Sequence, residues 1–150
     1  MFAAIGGTPY NIMLLLHVLT GFVAFAPAIA HPDLSTSIRD ARGTERPAVF
    51  GYIAKNTMRI YGSSLIISGL IGFGVAGVGD EVYKVRQGWL IAAVTVWIAM
   101  TGVLHALVRP GEKGVDAGDT SAEQKLQLGG IVLTLLFVVQ LTITIWKVGV

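Results

Sequence analysis

The sequence predicts an all-α fold, a four-transmembrane-helix bundle forming one domain over residues 1–150, with both termini on the outer side. Three observations lead there. First, 53 % of the residues are apolar, 13 % are charged and the mean hydropathy is +0.69, a composition too greasy for an ordinary soluble domain. Second, the apolar residues collect into four runs, about 10–30, 60–79, 88–108 and 126–146, each near the ~20 residues that cross a 30 Å hydrocarbon core. Third, eight of the eleven Lys and Arg side chains fall in the connections 31–59 and 109–125, and basic residues are retained on the cytoplasmic side.

The first run opens with Thr8-Pro9, a capping residue followed by a proline in the first turn, where its missing N–H is harmless. Pro27 is expected to kink or end this helix. Ala28-Ile-Ala30 also fits a signal-peptide cleavage pattern, but the first eleven residues carry no positive charge, so the run is read as a retained span. His17, Gly21, Ala24, Ala28 and His31 share one face, which leaves open space beside His17.

The second run repeats small residues at every fourth position, Ser64, Ser68, Gly72 and Ala76, a flat ridge that lets another helix approach closely. The partner helix is either in this chain or in another. In the third run Trp97, Thr101 and His105 follow at i, i+4 and i+8 and are expected to face inward together. The fourth is preceded by Thr120-Ser-Ala-Glu123, a capping box.

Polar groups at membrane depth need partners, and histidine is the residue best able to ligate or move a proton there. His17 and His105 are the candidates for cofactor binding. By helix rise, His17 lies roughly 5 Å to the outer side of the midplane and His105 roughly 10 Å to the inner side. That separation does not suit a pair clasping one upright haem. Depth matches His17 with Gln140, and His105 with Ser63 and Ser64, so plain hydrogen bonding within the bundle is the competing account of both.

With no cysteine, disulfides, thiolate metal sites and a cysteine nucleophile are excluded. A net charge of +2 makes nucleic acid an unpromising partner; membrane lipids and other integral membrane subunits are the partners expected. No HExxH, GxSxG or phosphate-cradling glycine loop occurs and the nine acidic residues lie in loops or at helix ends, reading as solvated charge. No catalytic residues are assigned, and an enzyme is not expected.

The residues Leu15-Leu-His17-Val-Leu, Arg39-Asp-Ala-Arg42, Ser68-Gly-Leu and Gly88-Trp-Leu with Val108-Arg109-Pro110 resemble a bacterial family of uncharacterised four-span integral membrane proteins. That family is distantly similar to the membrane domain of the copper-resistance protein CopD, and the likeness covers nearly the whole chain. The first-span histidine motif is also similar to that of the haem-binding membrane protein HemJ, whose histidine would correspond to His17; the likeness to it ends there. The resemblance implies a multi-pass protein of the bacterial cytoplasmic (inner) membrane, in which the Lys and Arg distribution would make the termini periplasmic, and leaves haem b and copper open as cofactors. The leading functional expectation is a small accessory or structural subunit packing through the Ser64–Ala76 ridge against the helices of a larger complex. The alternative is a haem- or copper-handling protein using His17 and His105. A transporter or channel would call for inward-facing charge or inverted repeats, and the spans show neither clearly.

Overall fold

The structure, a computed structural model, describes residues 7–40, 52, 55–79, 83, 84 and 86–147, with backbone alone over 27–40. Every regular element among them is helical. Helix α1 runs over Thr8–Asp40. Helix α2, Ser63–Val78, continues a π-helical segment, Thr57–Gly62. Helix α3, Gly88–Val103, passes through a second π-helical segment, Leu104–Val108, into α4, Arg109–Asp116. Helix α5 is Ser121–Trp146. Four helical stretches, Thr8–Ala26, Thr57–Val78, Gly88–Asp116 and Ser121–Trp146, are long and apolar enough to cross a membrane.

The helix ends depart from expectation in three places. Helix α1 does not stop near Ala30; it carries Pro27 and Pro32 within it to Asp40. The third span does not end at Val108: Pro110 stands in the first turn of α4, and the wider π turn before it takes up the backbone ladder where the proline has no N–H to give. Thr120 is not the working cap of α5. It has helical dihedrals and no side-chain cap bond, whereas Asp119 Oδ1 accepts from the Ser121 N–H at 2.8 Å and the Ser121 hydroxyl at 2.7 Å. Capping thus shifts back by one residue, because the position that keeps non-helical freedom is Asp119. These bonds, side chain first, hold the Asp119 carboxyl below its ordinary range. Arg42, Arg46, Asp80 and Glu81 and the side chains of Ala28, His31 and Arg39 lie outside the described residues.

Helix α1 packs most extensively on α2 and also on α5; α5 packs on α3 and α4; α2 and α3 meet sparingly. The half of the bundle that adjoins α4 is dense. Leu65, Met100, Leu104, Val108, Leu126 and Leu133 belong to one buried cluster. Close approach of α4 and α5 there depends on small residues: a Cβ on Gly111 would stand 2.8 Å from the Leu126 nitrogen and 2.9 Å from its Cα, and one on Gly129 would stand 2.9 Å from Val108 Cγ2. Glu112 is fully buried in this region, its Oε1 accepting from the Thr57 hydroxyl at 2.7 Å. It is therefore not the solvated carboxylate that its sequence position implies, because α4 prolongs the third span and turns Glu112 onto the segment before α2.

The outward faces are apolar. Phe22 is 70 % exposed and Trp146 76 %, with Leu15, Leu70, Ile98, Leu135 and Ile145 also outside. A continuous surface of this kind is what hydrocarbon solvates and water does not. The hydroxyls of Thr20, Thr95, Thr101, Thr134, Thr142 and Thr144 bond back to carbonyls four residues earlier in their own helices, so these groups enter the apolar medium satisfied.

Candidate functional site: an aromatic cavity beside His17

Where α2 and α3 stand apart, all four spans line a half-open cavity of about 460 Å³. Sites for small organic ligands usually measure ~300–1,000 Å³ and are mostly apolar with a few placed polar groups. One end is lined by Phe25 and Phe137, stacked with centroids 3.7 Å apart. On one wall Trp97 meets Phe73 edge-on at 6.2 Å. Trp97 also bridges α3 to α2: its indole N–H donates to the Leu65 carbonyl at 2.9 Å, and its ring fills the place a side chain at Gly69 would need. At the other end Tyr83 and Trp89 pack edge-on at 5.7 Å, beside Tyr10 and Lys147.

His17 lines this cavity and is held by α2. Its Nδ1 lies 2.8 Å from the Ser68 carbonyl oxygen, the geometry of a ring N–H donating to a backbone acceptor. The Ser68 hydroxyl stands 3.3 Å from the same nitrogen and donates to the His17 carbonyl at 3.1 Å. With Nδ1 as the donor, Nε2 is the acceptor of a neutral imidazole, and the hydrogen bonds of the ring leave it available. Glycine is required opposite: a Cβ on Gly72 would stand 2.9 Å from His17 Cε1.

The second polar feature is Gln140, whose side-chain oxygen is buried without a hydrogen-bond partner among the described residues, on the same cavity. His17 and Gln140 therefore share a site, as their depths imply, although the hydrogen-bond partner of His17 is Ser68. The third is the mouth. Lys147 donates to the Tyr83 hydroxyl at 3.3 Å, and its ammonium stands 4.7 Å from the Tyr83 ring centre. The hydrogen bond with Tyr10, then that with Lys147, holds the Tyr83 phenol below its ordinary value, against burial, which pushes it up.

His105 is not brought to His17. It lies exposed in the π-helical segment and does not line the cavity. Trp97 turns inward and Thr101, half-buried, bonds back to the Trp97 carbonyl, but the π turn holds more residues than an α turn, so the i+8 alignment fails at His105. Ser63, matched to His105 by depth, bonds back to the Arg59 carbonyl instead. The small ridge meets this chain's own first helix: Ser68 and Gly72 take His17, while Ala76 packs with Trp89 and Leu90 and Ser64 is partly buried. Tyr10, Tyr83, Trp89 and Lys147 escaped sequence reasoning, although all sit at or just beyond span ends, where aromatic and basic side chains concentrate.

Among the described residues no three His, Cys, Asp or Glu gather as a metal site, and the one hydroxyl beside the imidazole, that of Ser68, donates to the His17 carbonyl while Nδ1 faces the Ser68 carbonyl. What the arrangement can do is bind: one oriented imidazole nitrogen, one buried acceptor, aromatic walls and a cationic mouth. No family model, no curated protein and no solved structure matches the chain.

Proposed function

We propose that the protein is a membrane-embedded binding protein for a flat apolar cofactor, haem b, with His17 Nε2 as the iron ligand. The observation that carries this reading is the Nδ1 contact to the Ser68 carbonyl beside a cavity of ligand size. Ligating histidines characteristically donate their other ring N–H to a carbonyl or carboxylate, which sets the tautomer and the ring orientation. Gly72 leaves room for the ring, and the stacked phenylalanines and Trp97 offer flat apolar surface and exclude water. Copper fits less well, because a bare ion would find one imidazole and no cluster of further His, Cys, Asp or Glu ligands among the described residues. Haem, when bound, supplies a one-electron redox centre; the chain's part is to hold, orient and shield it.

The orientation with both termini periplasmic, in a bacterial cytoplasmic membrane, is part of the same proposal and is supported by the distribution of Lys and Arg. An accessory subunit of a larger complex is the competing proposal. The small-residue ridge no longer speaks for it, since Ser68 and Gly72 are occupied by His17 of the same chain.

The test is a visible spectrum with iron and copper analysis on protein extracted gently from its native membrane and sized on the same column. A haem absorption band at one iron per chain, abolished in His17→Ala and shifted in His17→Met, is expected. A colourless, metal-free chain that takes up no haem and elutes with larger partners would refute the binding reading in favour of the subunit.

A further inference from the structure

Lys147 is the single non-glycine residue with a positive φ among the described residues, at φ 46° and ψ 51°. That region disfavours residues with a Cβ, and sparsely populated backbone of this kind persists where surrounding contacts hold it. Here it carries the chain off the end of α5 and places the ammonium beside the Tyr83 hydroxyl and ring, at the outer end of the cavity. The ammonium has no carboxylate partner among the described residues; its neighbours are a phenol and an aromatic face. An ammonium held by a phenol and a ring at the edge of an apolar cavity can still give a charge-assisted hydrogen bond to an anion that enters.

The Tyr83 hydroxyl is positioned by the Tyr10 hydroxyl donating to it. From this geometry we infer that Lys147 and the Tyr83 hydroxyl form an anion-capturing mouth that takes the carboxylate of a porphyrin seated in the cavity. This rests on the haem reading above and adds to it a second recognition point, at the opposite end of the ligand from its apolar edge. Three elements distant in sequence contribute: the start of α1, the connection before α3 and the end of α5. The ligand is thereby required to be amphiphilic, its apolar body among Trp97, Phe25 and Phe137 and its acid group at the outer membrane surface. Lys147 acts as a point charge, so the mouth reads charge more than shape.

The experiment compares binding of haem b and of its dimethyl ester, which has the same ring and iron but no carboxylate charge, to the purified full chain in mild detergent. The wild type is expected to bind the acid about tenfold more tightly, the worth of one charge-assisted hydrogen bond. Lys147→Gly is expected to lose that preference while still binding the ester, because glycine adopts positive φ without strain and spares the fold. Lys147→Arg, which keeps the charge, is expected to retain it. Equal binding of acid and ester by the wild type would overturn the mouth and leave the His17 site standing. A preference that survives in Lys147→Gly would also overturn it. Failure of the wild type to bind either compound would remove the haem reading and the mouth with it.

Discussion

Replacing Gln140 by methionine should stabilise the ligand-free protein, which is the reverse of what most changes at a buried position do. The side-chain oxygen is buried with no hydrogen-bond partner among the described residues, in a wall otherwise made of Phe137, Leu141 and other apolar groups. A buried acceptor left unsatisfied costs ~1–3 kcal/mol. Methionine is close in size and carries no such acceptor, so little packing is lost, and a volume-conserving swap offsets less than about 1.5 kcal/mol of the gain. A net gain of about 1 kcal/mol corresponds to a rise of ~2–4 °C in melting temperature for a chain of this length. The assay is thermal unfolding of wild type and Gln140→Met in the same detergent, with and without haem. Without ligand the variant should melt higher. With saturating haem the advantage should persist, because the porphyrin body carries no N–H or O–H to donate to this oxygen. A variant that melts lower than wild type when ligand-free would refute the reasoning, since the oxygen would then have to be satisfied in the protein itself.

Two further changes test the packing and the capping. Gly111→Val should lower the melting temperature by several degrees, equivalent to ~1–3 kcal/mol of overpacking, because the added carbons meet the backbone of Leu126, which cannot rotate away. Thermal melts of this variant beside Gly102→Val, where nothing stands within 4 Å, separate the clash from a general intolerance of valine. Asp119→Ala should fray the start of α5, seen as faster amide exchange at 121–123. Because the folded carboxyl is held below its ordinary value by the Ser121 bonds, its contribution is present above the unfolded pKa of about 3.9 and is lost as pH falls through the lower folded value. Wild type and Asp119→Ala should therefore differ at neutral pH and converge once acid protonates the folded carboxyl.

The candidate site was legible in part. His17 stands out in the sequence because an imidazole at membrane depth is costly and needs a partner, and the small side chains on its face imply space beside it. Gln140 follows from helix rise alone. Ser68 belongs to a visible ridge, but its pairing with His17 joins residues 51 apart in the chain, and depth arithmetic carries no information on rotation about a helix axis. The inward expectation for His105 fails for a related reason. It assumes α-helical periodicity through Leu104–Val108, and a π segment leaves no mark in hydropathy.

What the sequence determined by itself is the class of fold: four apolar runs of spanning length, whose helical form follows from the need to satisfy every backbone group internally in hydrocarbon. That constraint is local and acts on each run separately. The tertiary structure decided which faces meet, and so decided that the ridge on α2 receives this chain's own histidine, that Glu112 is buried beneath Thr57, and that Tyr10, Tyr83 and Lys147 converge. In a bilayer, burial against lipid and burial against protein have nearly the same hydrophobic value, so composition does not distinguish the two, and close packing and hydrogen bonding between helices make the choice.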